Sequence, residues 1–290
     1  MNDKMKGLLA VLASAVYFGF MPLFMKTVYA SGGNSFTAAF LRFLLSLPTL
    51  YIYLKIKGTD IRISWKELRQ VLLITVFGYA GTTILVFSAY NYIPSGLTTT
   101  IHFLYPTMTV LGLMIFYKEK VQPLKILCVI LCLIGIVMFY NGGGEISLFG
   151  IFLALCSSMT YGFYTVYLGK CILKDMDPIK RLFHMHWVGA VMMGIIGLAS
   201  GGLEFHMAPL GWGIMILVST LTTFIGALGY QIGVKNIGSE NAAMLSTFEP
   251  ITSIVIGVLV YNEAMTLKIV IGCAAIIVST LIIAKTEGKS

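Results

Sequence analysis

The sequence predicts an all-α, polytopic membrane protein with ten transmembrane helices. Hydrophobic residues make up 58% of the chain, charged residues only 11%, and the mean hydropathy is +0.89, whereas about a quarter of the residues in a soluble protein are charged. Apolar runs recur along the whole chain, each close to the ~20 residues that cross a bilayer as a helix. The sequence lacks the alternating short-strand pattern of an outer-membrane barrel, so helices are the predicted spanning element.

Each predicted span ends at a short polar segment or at a break that contains glycine or proline. The first apolar run follows Lys4 and Lys6 and continues well past the triplet at residues 13–15, which indicates an uncleaved helix rather than a signal peptide. The predicted spans are residues 7–29, 35–54, 68–90, 95–117, 123–140, 147–169, 179–200, 210–234, 240–261 and 267–284.

The distribution of lysine and arginine predicts a multi-pass protein of the plasma membrane with both termini in the cytoplasm. With the N-terminus inside, 17 of the 20 basic residues fall on the cytoplasmic side, as the positive-inside rule requires. Lys26 and Lys268 fall outside, and Arg42 lies within a span. The net charge of +8 is therefore a topology signal, and its spread over short loops argues against nucleic-acid binding.

An internal repeat divides the chain into residues 1–144 and 145–290, each predicted to hold five helices. The segments FLYPTMTVLGLMIFYKE and TFEPITSIVIGVLVYNE align Pro106 with Pro250 and Glu119 with Glu263, both at an offset of 144. Because five is odd, the second copy must enter the membrane from the opposite side. The sequence thus predicts inverted repeats, which in transporters place the substrate site near the midplane between the copies.

Both copies have a polar stripe beside a mid-helix proline. In the first copy, one helix face contains Thr98, His102, Tyr105 and Thr109. The matching positions in the second copy are Ala242, Ser246, Glu249 and Ser253. Polar side chains and proline-broken backbone within a membrane face the bundle interior or a wet cavity. The sequence therefore predicts helix breaks at Pro106 and Pro250, and a central cavity lined by residues of the two stripes.

The paired segments YPTMTVLGLMIFYKE and FEPITSIVIGVLVYNE resemble the EamA family of the drug/metabolite transporter superfamily. The resemblance covers essentially the whole chain and implies a ten-helix carrier, often an exporter of amino acids or related compounds, that works by alternating access around a central cavity. The chain departs from the family's usual Leu-Gly-Glu ending, because it has Tyr-Lys-Glu at residues 117–119 and Tyr-Asn-Glu at residues 261–263.

Glu249 lies within a predicted span, although a carboxylate near a bilayer centre costs about 3 kcal/mol or more. Its presence there therefore requires a compensating interaction or function. One reading pairs it with Arg42, His102 or His184 to hold helices together. The other places it in the cavity, where it binds substrate or carries a proton. Its counterpart Tyr105 is uncharged, which favours the second reading. Proton coupling also stays open, since burial disfavours the charged carboxylate and a nearby arginine opposes this effect.

The remaining candidates for the substrate cavity are less specific. Arg42 could snorkel towards the membrane surface or clamp a substrate carboxylate. Tyr161, Tyr230 and Gln231 are candidate cavity residues by their position, although membrane aromatics more often pack or lie at the interface. No cofactor, metal site or catalytic residue is predicted, because the cysteines lack further ligands at metal-binding spacing.

Other classes of membrane protein give alternative interpretations. A channel or receptor would need no acidic cavity, but the sequence has no selectivity-filter segment and no ring of like charges. A membrane-embedded enzyme would need clustered acids, histidines or an activated nucleophile on sizeable loops, and the loops here are short. The favoured prediction is a secondary transporter that exports small metabolites and whose partners are its small-molecule substrate and the lipid bilayer.

Overall fold

The computed structural model is all-helical in its secondary structure and describes residues 2–93, 95–119, 123–138, 147–261 and 266–288. No β-strand occurs within these ranges. We number the helices α1 (Asp3–Ala30), α2 (Ser35–Ile56), α3 (Trp65–Ala89), α4 (Ser95–His102), α5 (Tyr105–Tyr117), α6 (Pro123–Met138), α7 (Leu148–Lys170), α8 (Pro178–Ala199), α9 (Pro209–Ile237), α10 (Ser239–Leu245), α11 (Phe248–Tyr261) and α12 (Leu267–Gly288).

Each predicted span coincides with one helix or with a broken pair of helices. Six helices of the described part, α1–α3 and α7–α9, are long and apolar enough to cross a membrane in one stretch. The pairs α4–α5 and α10–α11 cover the spans predicted at 95–117 and 240–261. Glu263 and the predicted link between the halves at residues 141–144 lie outside the described residues. The chain is a polytopic helical membrane protein, and the count of ten crossings stays a prediction.

Proline explains four breaks, of which two lie within α1 and α2 and two lie between α4 and α5 and between α10 and α11. A helical proline removes one hydrogen bond and its ring clashes with the carbonyl four residues earlier. Pro106 and Pro250 lie in the first turns of α5 and α11, and the preceding helices end at His102 and Leu245. The interruptions within α1 and α2, at residues 20 and 45–46, are likewise followed two residues later by a proline. The chain therefore bends just before each proline.

Two helices contain a wide turn that the sequence did not predict. Residues Thr75–Tyr79 of α3 and Thr222–Ala227 of α9 are π-helical. A π-turn rotates the side chains that follow it relative to an uninterrupted α-helix, and such turns often mark functional sites. The two turns occupy corresponding helices of the predicted repeats, and they change which residues of α3 and α9 point to the centre.

Helices of the first half pack mainly on helices of the second half. The α1 helix contacts the second part of α9, and α7 makes the equivalent contact with the second part of α3, while α2 packs on α8 and α6 on α12. A Cβ built on Gly7 would lie 2.8 Å from the Cβ of Asn236, and one built on Gly150 would lie 2.8 Å from the Cβ of Tyr92. Only glycine permits these two close approaches.

A second pair of glycines allows α1 and α7 to approach α11 and α5, the helices that begin after the two breaks. A Cβ on Gly19 of α1 would lie 2.5 Å from the Cβ of Thr252 in α11. A Cβ on Gly162 of α7 would lie 2.8 Å from the Cβ of Met108 in α5. Both contacts come directly after a helix break, so they fix the position of the residues that begin α5 and α11.

Polar contacts join the halves at both ends of the bundle. Asp177 caps the N-terminus of α8 and accepts a 2.9 Å hydrogen bond from Lys57 Nζ, just after α2. Asn34 caps α2 and donates a 2.8 Å hydrogen bond to the carbonyl oxygen of Gly202, just after α8. Each capping residue thus holds the loop that follows the partner helix. Glu119 is also paired, with Lys170 at the end of α7.

Candidate functional site

A cavity of about 100 Å³ lies between the two halves at the breaks in α4–α5 and α10–α11. It is large enough for several waters or a small organic molecule, because a water needs only about 10–15 Å³ of such space. Its walls are Ala15, Phe18, Met21, Arg42, Tyr79, Thr82, Thr83, Val86, Phe87, Tyr90, Thr99, His102, Phe103, Tyr105, Tyr161, Tyr230, Ser246 and Glu249. Of the residues proposed from the sequence, Arg42, His102, Tyr105, Tyr161, Tyr230, Ser246 and Glu249 line the cavity. Gln231 and the stripe residues Thr98, Thr109 and Ala242 are not part of its wall, and the side chain of Ser253 lies outside the described residues.

Arg42 forms the cationic wall of this cavity. Its side chain is only 7% exposed, and its guanidinium donates hydrogen bonds to Tyr79 Oη at 3.2 Å and Thr83 Oγ1 at 3.5 Å. The guanidinium carbon also lies 5.5–6.0 Å from the ring centres of Phe18, Phe43 and Tyr79, where cation–π attraction is effective. Arg42 therefore does not snorkel to the membrane surface, and its Nε has no hydrogen-bond partner in the part of the chain that the structure describes.

Glu249 supplies the opposite charge from the other half of the protein. It lies in the first turn of α11, where the helix dipole favours a negative group. Within the described part of the chain, its carboxylate accepts no hydrogen bond and forms no ion pair. Arg42 attracts it across the cavity without touching it. The cavity thus contains one cation and one carboxylate that do not neutralise each other through direct contact.

His102 ends α4 and is held against α7. Its Nδ1 lies 3.0 Å from Ser157 Oγ, and that hydroxyl donates its own proton to the carbonyl oxygen of Ala154 at 2.6 Å. Since Ser157 has only one proton, Nδ1–H must be the donor in the His102–Ser157 bond. In the neutral ring, Nε2 is then the hydrogen-bond acceptor.

An aromatic cluster centred on Tyr161 covers one side of the cavity. The ring of Tyr161 lies 4.6 Å from that of Tyr105 in an edge-to-face arrangement, 5.5 Å from His102 and 5.7 Å from Tyr230. Tyr164 continues the cluster at 5.3 Å from Tyr161. Rings in these arrangements attract one another beyond their burial, so the cluster gives the cavity a rigid wall made by both halves.

Two polar residues considered from the sequence lie away from the cavity. Gln231 is fully buried, accepts a 2.8 Å hydrogen bond from Arg181 Nε, and donates one of 3.3 Å to Tyr164 Oη. His184, one of the proposed partners of Glu249, instead contacts the carbonyl oxygen of Ile61 at 2.8 Å through Nε2. Both side chains belong to the contacts of α8 with its neighbours.

The sequence-based reasoning missed the contribution of α3. This helix lines the cavity with Tyr79, Thr82, Thr83 and Tyr90, in addition to apolar residues. The signal was present, because these residues follow helical spacing and resemble the polar stripe recognised at residues 98–109. The π-turn that ends at Tyr79 places this stripe towards Arg42.

The arrangement provides groups that bind small molecules. No cluster of three or more metal-ligating side chains occurs among the described residues. The cavity offers a cation, a carboxylate, several hydroxyls and an aromatic wall. These groups can recognise a small molecule that has both charged and apolar parts.

Comparison with known proteins identifies the family. The model of the EamA-like transporter family matches residues 5–141 and again residues 148–285. The chain therefore belongs to the EamA-like transporter family, as its resemblance in sequence predicted, and it is a transporter of the membrane. The family model matches twice, with only residues 142–147 between the two matches.

Individual relatives agree with this assignment. An uncharacterized transporter of Archaeoglobus fulgidus is 24% identical over 85% of this chain and 87% of its own. YcbK of Bacillus subtilis, also an uncharacterized transporter, is 26% identical over 95% and 91%. The uncharacterized inner membrane transporter YicL of Salmonella typhimurium is 23% identical over 98% and 96%. These names support transport and a membrane location, and they leave the substrate open.

A protein crystal structure shares the fold. It superposes with a TM-score of 0.82, covers 99% of this chain and 98% of its own, and is 16% identical in sequence. At this level of identity the likeness concerns the fold alone. It supports the path of the whole chain rather than any single site residue.

Proposed function

We propose that this protein is a secondary transporter for small zwitterionic metabolites, amino acids or closely related compounds, which it exports by alternating access. The observation that carries the proposal is that Arg42 and Glu249, from different halves, line one cavity without pairing with each other. Two opposite charges that line a cavity within a membrane without direct contact raise the free energy of the protein. A ligand with a carboxylate and an ammonium group would compensate both.

Each charge has a distinct role in this proposal. The guanidinium of Arg42 receives the substrate carboxylate, because its flat array of donors matches two carboxylate oxygens. The carboxylate of Glu249 receives the ammonium group, and the free acceptor nitrogen of His102 offers it a second partner. Phe18, Phe87 and the ring of Tyr161 then surround an apolar substrate side chain. Glu249 is also the candidate for proton coupling, since it could bind a proton when the ammonium group leaves.

The moving parts are the two halves, residues 1–144 and 145–290, arranged as inverted five-helix repeats with ten crossings. Three observations support this division: the family model matches twice, Gly7 and Gly150 make equivalent contacts, and the π-turns of α3 and α9 correspond. Rocking of the halves would expose the cavity to one side at a time. The distribution of basic residues supports a plasma-membrane protein with both termini in the cytoplasm.

Counterflow in proteoliposomes tests this function. Liposomes loaded with an unlabelled neutral amino acid should accumulate the labelled one transiently, which a channel would not sustain and an enzyme would not produce. The variants Glu249→Gln and Arg42→Gln should lose the accumulation. The control Glu204→Gln makes the same chemical change at an exposed residue outside the cavity and should retain it. Full counterflow by both cavity variants would contradict the proposal.

Cysteine labelling tests the threading of the halves separately. The loop after α2 and the loop after α8 should lie on opposite sides of the membrane, so Lys57→Cys should react only with reagent on the cytoplasmic side. Glu204→Cys should react only from outside. Labelling of both positions from the same side would exclude the inverted arrangement.

A further inference from the structure

We infer that a second pocket, distinct from the central cavity, is a binding site for a phosphate group. It has a volume of about 270 Å³ and lies where α7, α8 and α9 meet. Three cations converge on it, Lys174, Arg181 and Lys235, against one carboxylate, Asp175. This concentration of positive charge is unlike the central cavity, which has one charge of each sign.

The floor of this phosphate pocket is a buried arginine. Arg181 is only 1% exposed. Its Nε donates to Gln231 Oε1 at 2.8 Å and its Nη1 to the carbonyl oxygen of Leu173 at 2.6 Å, whereas Nη2 has no hydrogen-bond partner among the described residues. No carboxylate of the described residues lies within 4.0 Å of it. A buried charge without a partner is costly, and a bound anion would offset that cost.

The acidic groups nearby do not complete this site. Asp175 is on the exposed rim and forms no ion pair within the described chain. Asp177 attracts Arg181 only at longer range. Its carboxylate is already occupied by Lys57 and by the backbone N–H groups of Ile179 and Lys180. The pocket therefore keeps an excess of positive charge.

The rim adds two flexible cations to the fixed one. Lys174 and Lys235 are exposed, and neither forms an ion pair in the described part of the chain. A fixed guanidinium below two mobile ammonium groups suits an anion with three or more oxygens, because each cation can contact a different oxygen. A phosphate group has that number of oxygens, whereas a single carboxylate has two.

The fold itself does not demand these charges. The corresponding positions in the first half, 143 or 144 residues earlier, are Ser31, Ala38 and Asn91. Asn91 there donates a 3.4 Å hydrogen bond to Ser35 Oγ, in a neutral contact. Since uncharged residues occupy the corresponding positions at the other end of the molecule, the fold does not by itself require the three cations. By the orientation proposed above, they face the cytoplasm, where both soluble phosphates and anionic lipid headgroups occur.

Calorimetric titration with inorganic phosphate tests the site in detergent-purified protein. We expect wild type to bind phosphate and the double variant K174Q/K235Q to bind it at least about tenfold more weakly, because charge-assisted hydrogen bonds are lost. Both lysines are exposed, so the variant should fold. The control R62Q/K66Q removes the same charge from exposed residues elsewhere and should bind phosphate as wild type does.

A lipid arm identifies the source of the phosphate group. The titration is repeated in nanodiscs of phosphatidylcholine, with or without phosphatidylglycerol. Weaker phosphate binding in the presence of phosphatidylglycerol assigns the site to a lipid headgroup, and unchanged binding assigns it to a soluble phosphate compound. The inference is overturned if wild type binds no phosphate, or if K174Q/K235Q binds it as tightly as wild type. Neither result depends on transport, so the proposed function is tested independently.

Discussion

The two broken helices of this transporter occupy matching places but present different chemistry to the cavity. In the first half the break precedes Tyr105 and Pro106, and the ring of Tyr105 packs against Tyr161. In the second half it precedes Glu249 and Pro250, and the carboxylate forms no ion pair with any residue that the structure describes. A proline follows the break in both halves. The two stretches that the family model matches thus share the helix break, whereas only the second has a charged side chain there.

The same contrast recurs at the ends of the bundle. Asn34 and Asp177 cap equivalent helices and hold the loops across from them, the first through a neutral hydrogen bond and the second through an ion pair. Gly58 and Gly201 end α2 and α8 with similar left-handed backbone, at φ of +67° and +62°. The two helices therefore end with the same backbone geometry, whereas the charge of the residue that caps each of them differs.

The largest effect on substrate binding is expected when the charged side chain at the break before α11 is neutralised. The matching change at the break before α5 should have a much smaller effect. In the proposed binding mode Glu249→Gln would remove a charged hydrogen bond to the substrate, worth about 1.5–3 kcal/mol, so substrate affinity should fall by roughly tenfold or more. Tyr105→Phe leaves the ring packing in place and should weaken binding only slightly. Titration of both purified variants with substrate measures the difference, and equal losses would show that the asymmetry has no functional role.

Alanine at the two paired glycines should destabilise both halves, but to different degrees. Gly19→Ala forces a Cβ to within 2.5 Å of Thr252 and 2.9 Å of the Glu249 carbonyl oxygen. Gly162→Ala places a Cβ 2.8 Å from the Cβ of Met108 and 3.4 Å from the backbone nitrogen of Thr109. Overpacking of this kind costs roughly 1–3 kcal/mol, so thermal unfolding in detergent should occur at lower temperature for both. Gly19→Ala should also weaken substrate binding, because it displaces the start of α11.

Gly213 supplies the matched control for this pair. It lies in α9 with nothing within 4 Å of a built Cβ, so Gly213→Ala should leave the unfolding temperature unchanged or raise it slightly. A comparable fall in unfolding temperature in all three variants would mean that the close contacts at Gly19 and Gly162 do not cause the destabilisation.

The smallest expected effect is on the pH dependence of stability. It should distinguish the end of the bundle with the Lys57–Asp177 ion pair from the end with the neutral Asn34 cap. Burial raises the pKa of Asp177, but the hydrogen bond from Lys57, the N–H groups at the start of α8 and the charge of Lys57 outweigh it, so the net pKa is lowered. The hydrogen bond to Asp177 raises the pKa of Lys57. A carboxylate with a lowered pKa stabilises the fold above its unfolded-state value, about 3.9, and this contribution disappears as pH falls through the folded-state value.

Thermal unfolding at a series of acidic pH values measures this contribution. Asp177→Asn keeps an N-cap but loses the ion pair, so its unfolding temperature should fall less on acidification than that of wild type. The effect is small, because the pair is partly exposed. Asn34→Ala removes the neutral cap of α2 and should lower the unfolding temperature by the same amount at every pH tested. If the unfolding temperatures of wild type and Asp177→Asn fall equally on acidification, the ion pair does not contribute to stability.

The sequence was informative where one physical constraint dominates. Apolar length located every predicted span within a few residues of a helix, because nothing else satisfies the backbone in lipid. The cost of a carboxylate in a membrane singled out Glu249 in the sequence and left two interpretations of it open, and in the structure Glu249 lines one cavity with Arg42 and His102. The proline rule located the breaks, since the clash falls four residues before each proline.

The sequence was less informative where a local irregularity changes the direction of side chains. The π-turn at Thr222–Ala227 shifts the phase of the second part of α9, so Tyr230 lines the cavity while its neighbour Gln231 faces Arg181. The π-turn of α3 similarly brings Tyr79 to Arg42. Regular helical spacing cannot anticipate such a shift, because a π-turn depends on how the neighbouring helices pack.

Direct binding of substrate analogues tests the central claim, that Arg42 and Glu249 together recognise a zwitterion. The purified protein is titrated with a neutral amino acid, with the amine that lacks its carboxylate and with the acid that lacks its amino group. We predict that wild type binds the zwitterion much more tightly than either analogue, that Arg42→Gln no longer distinguishes it from the amine, and that Glu249→Gln no longer distinguishes it from the acid. Equal binding of all three compounds by wild type, or unchanged selectivity in both variants, would contradict the account.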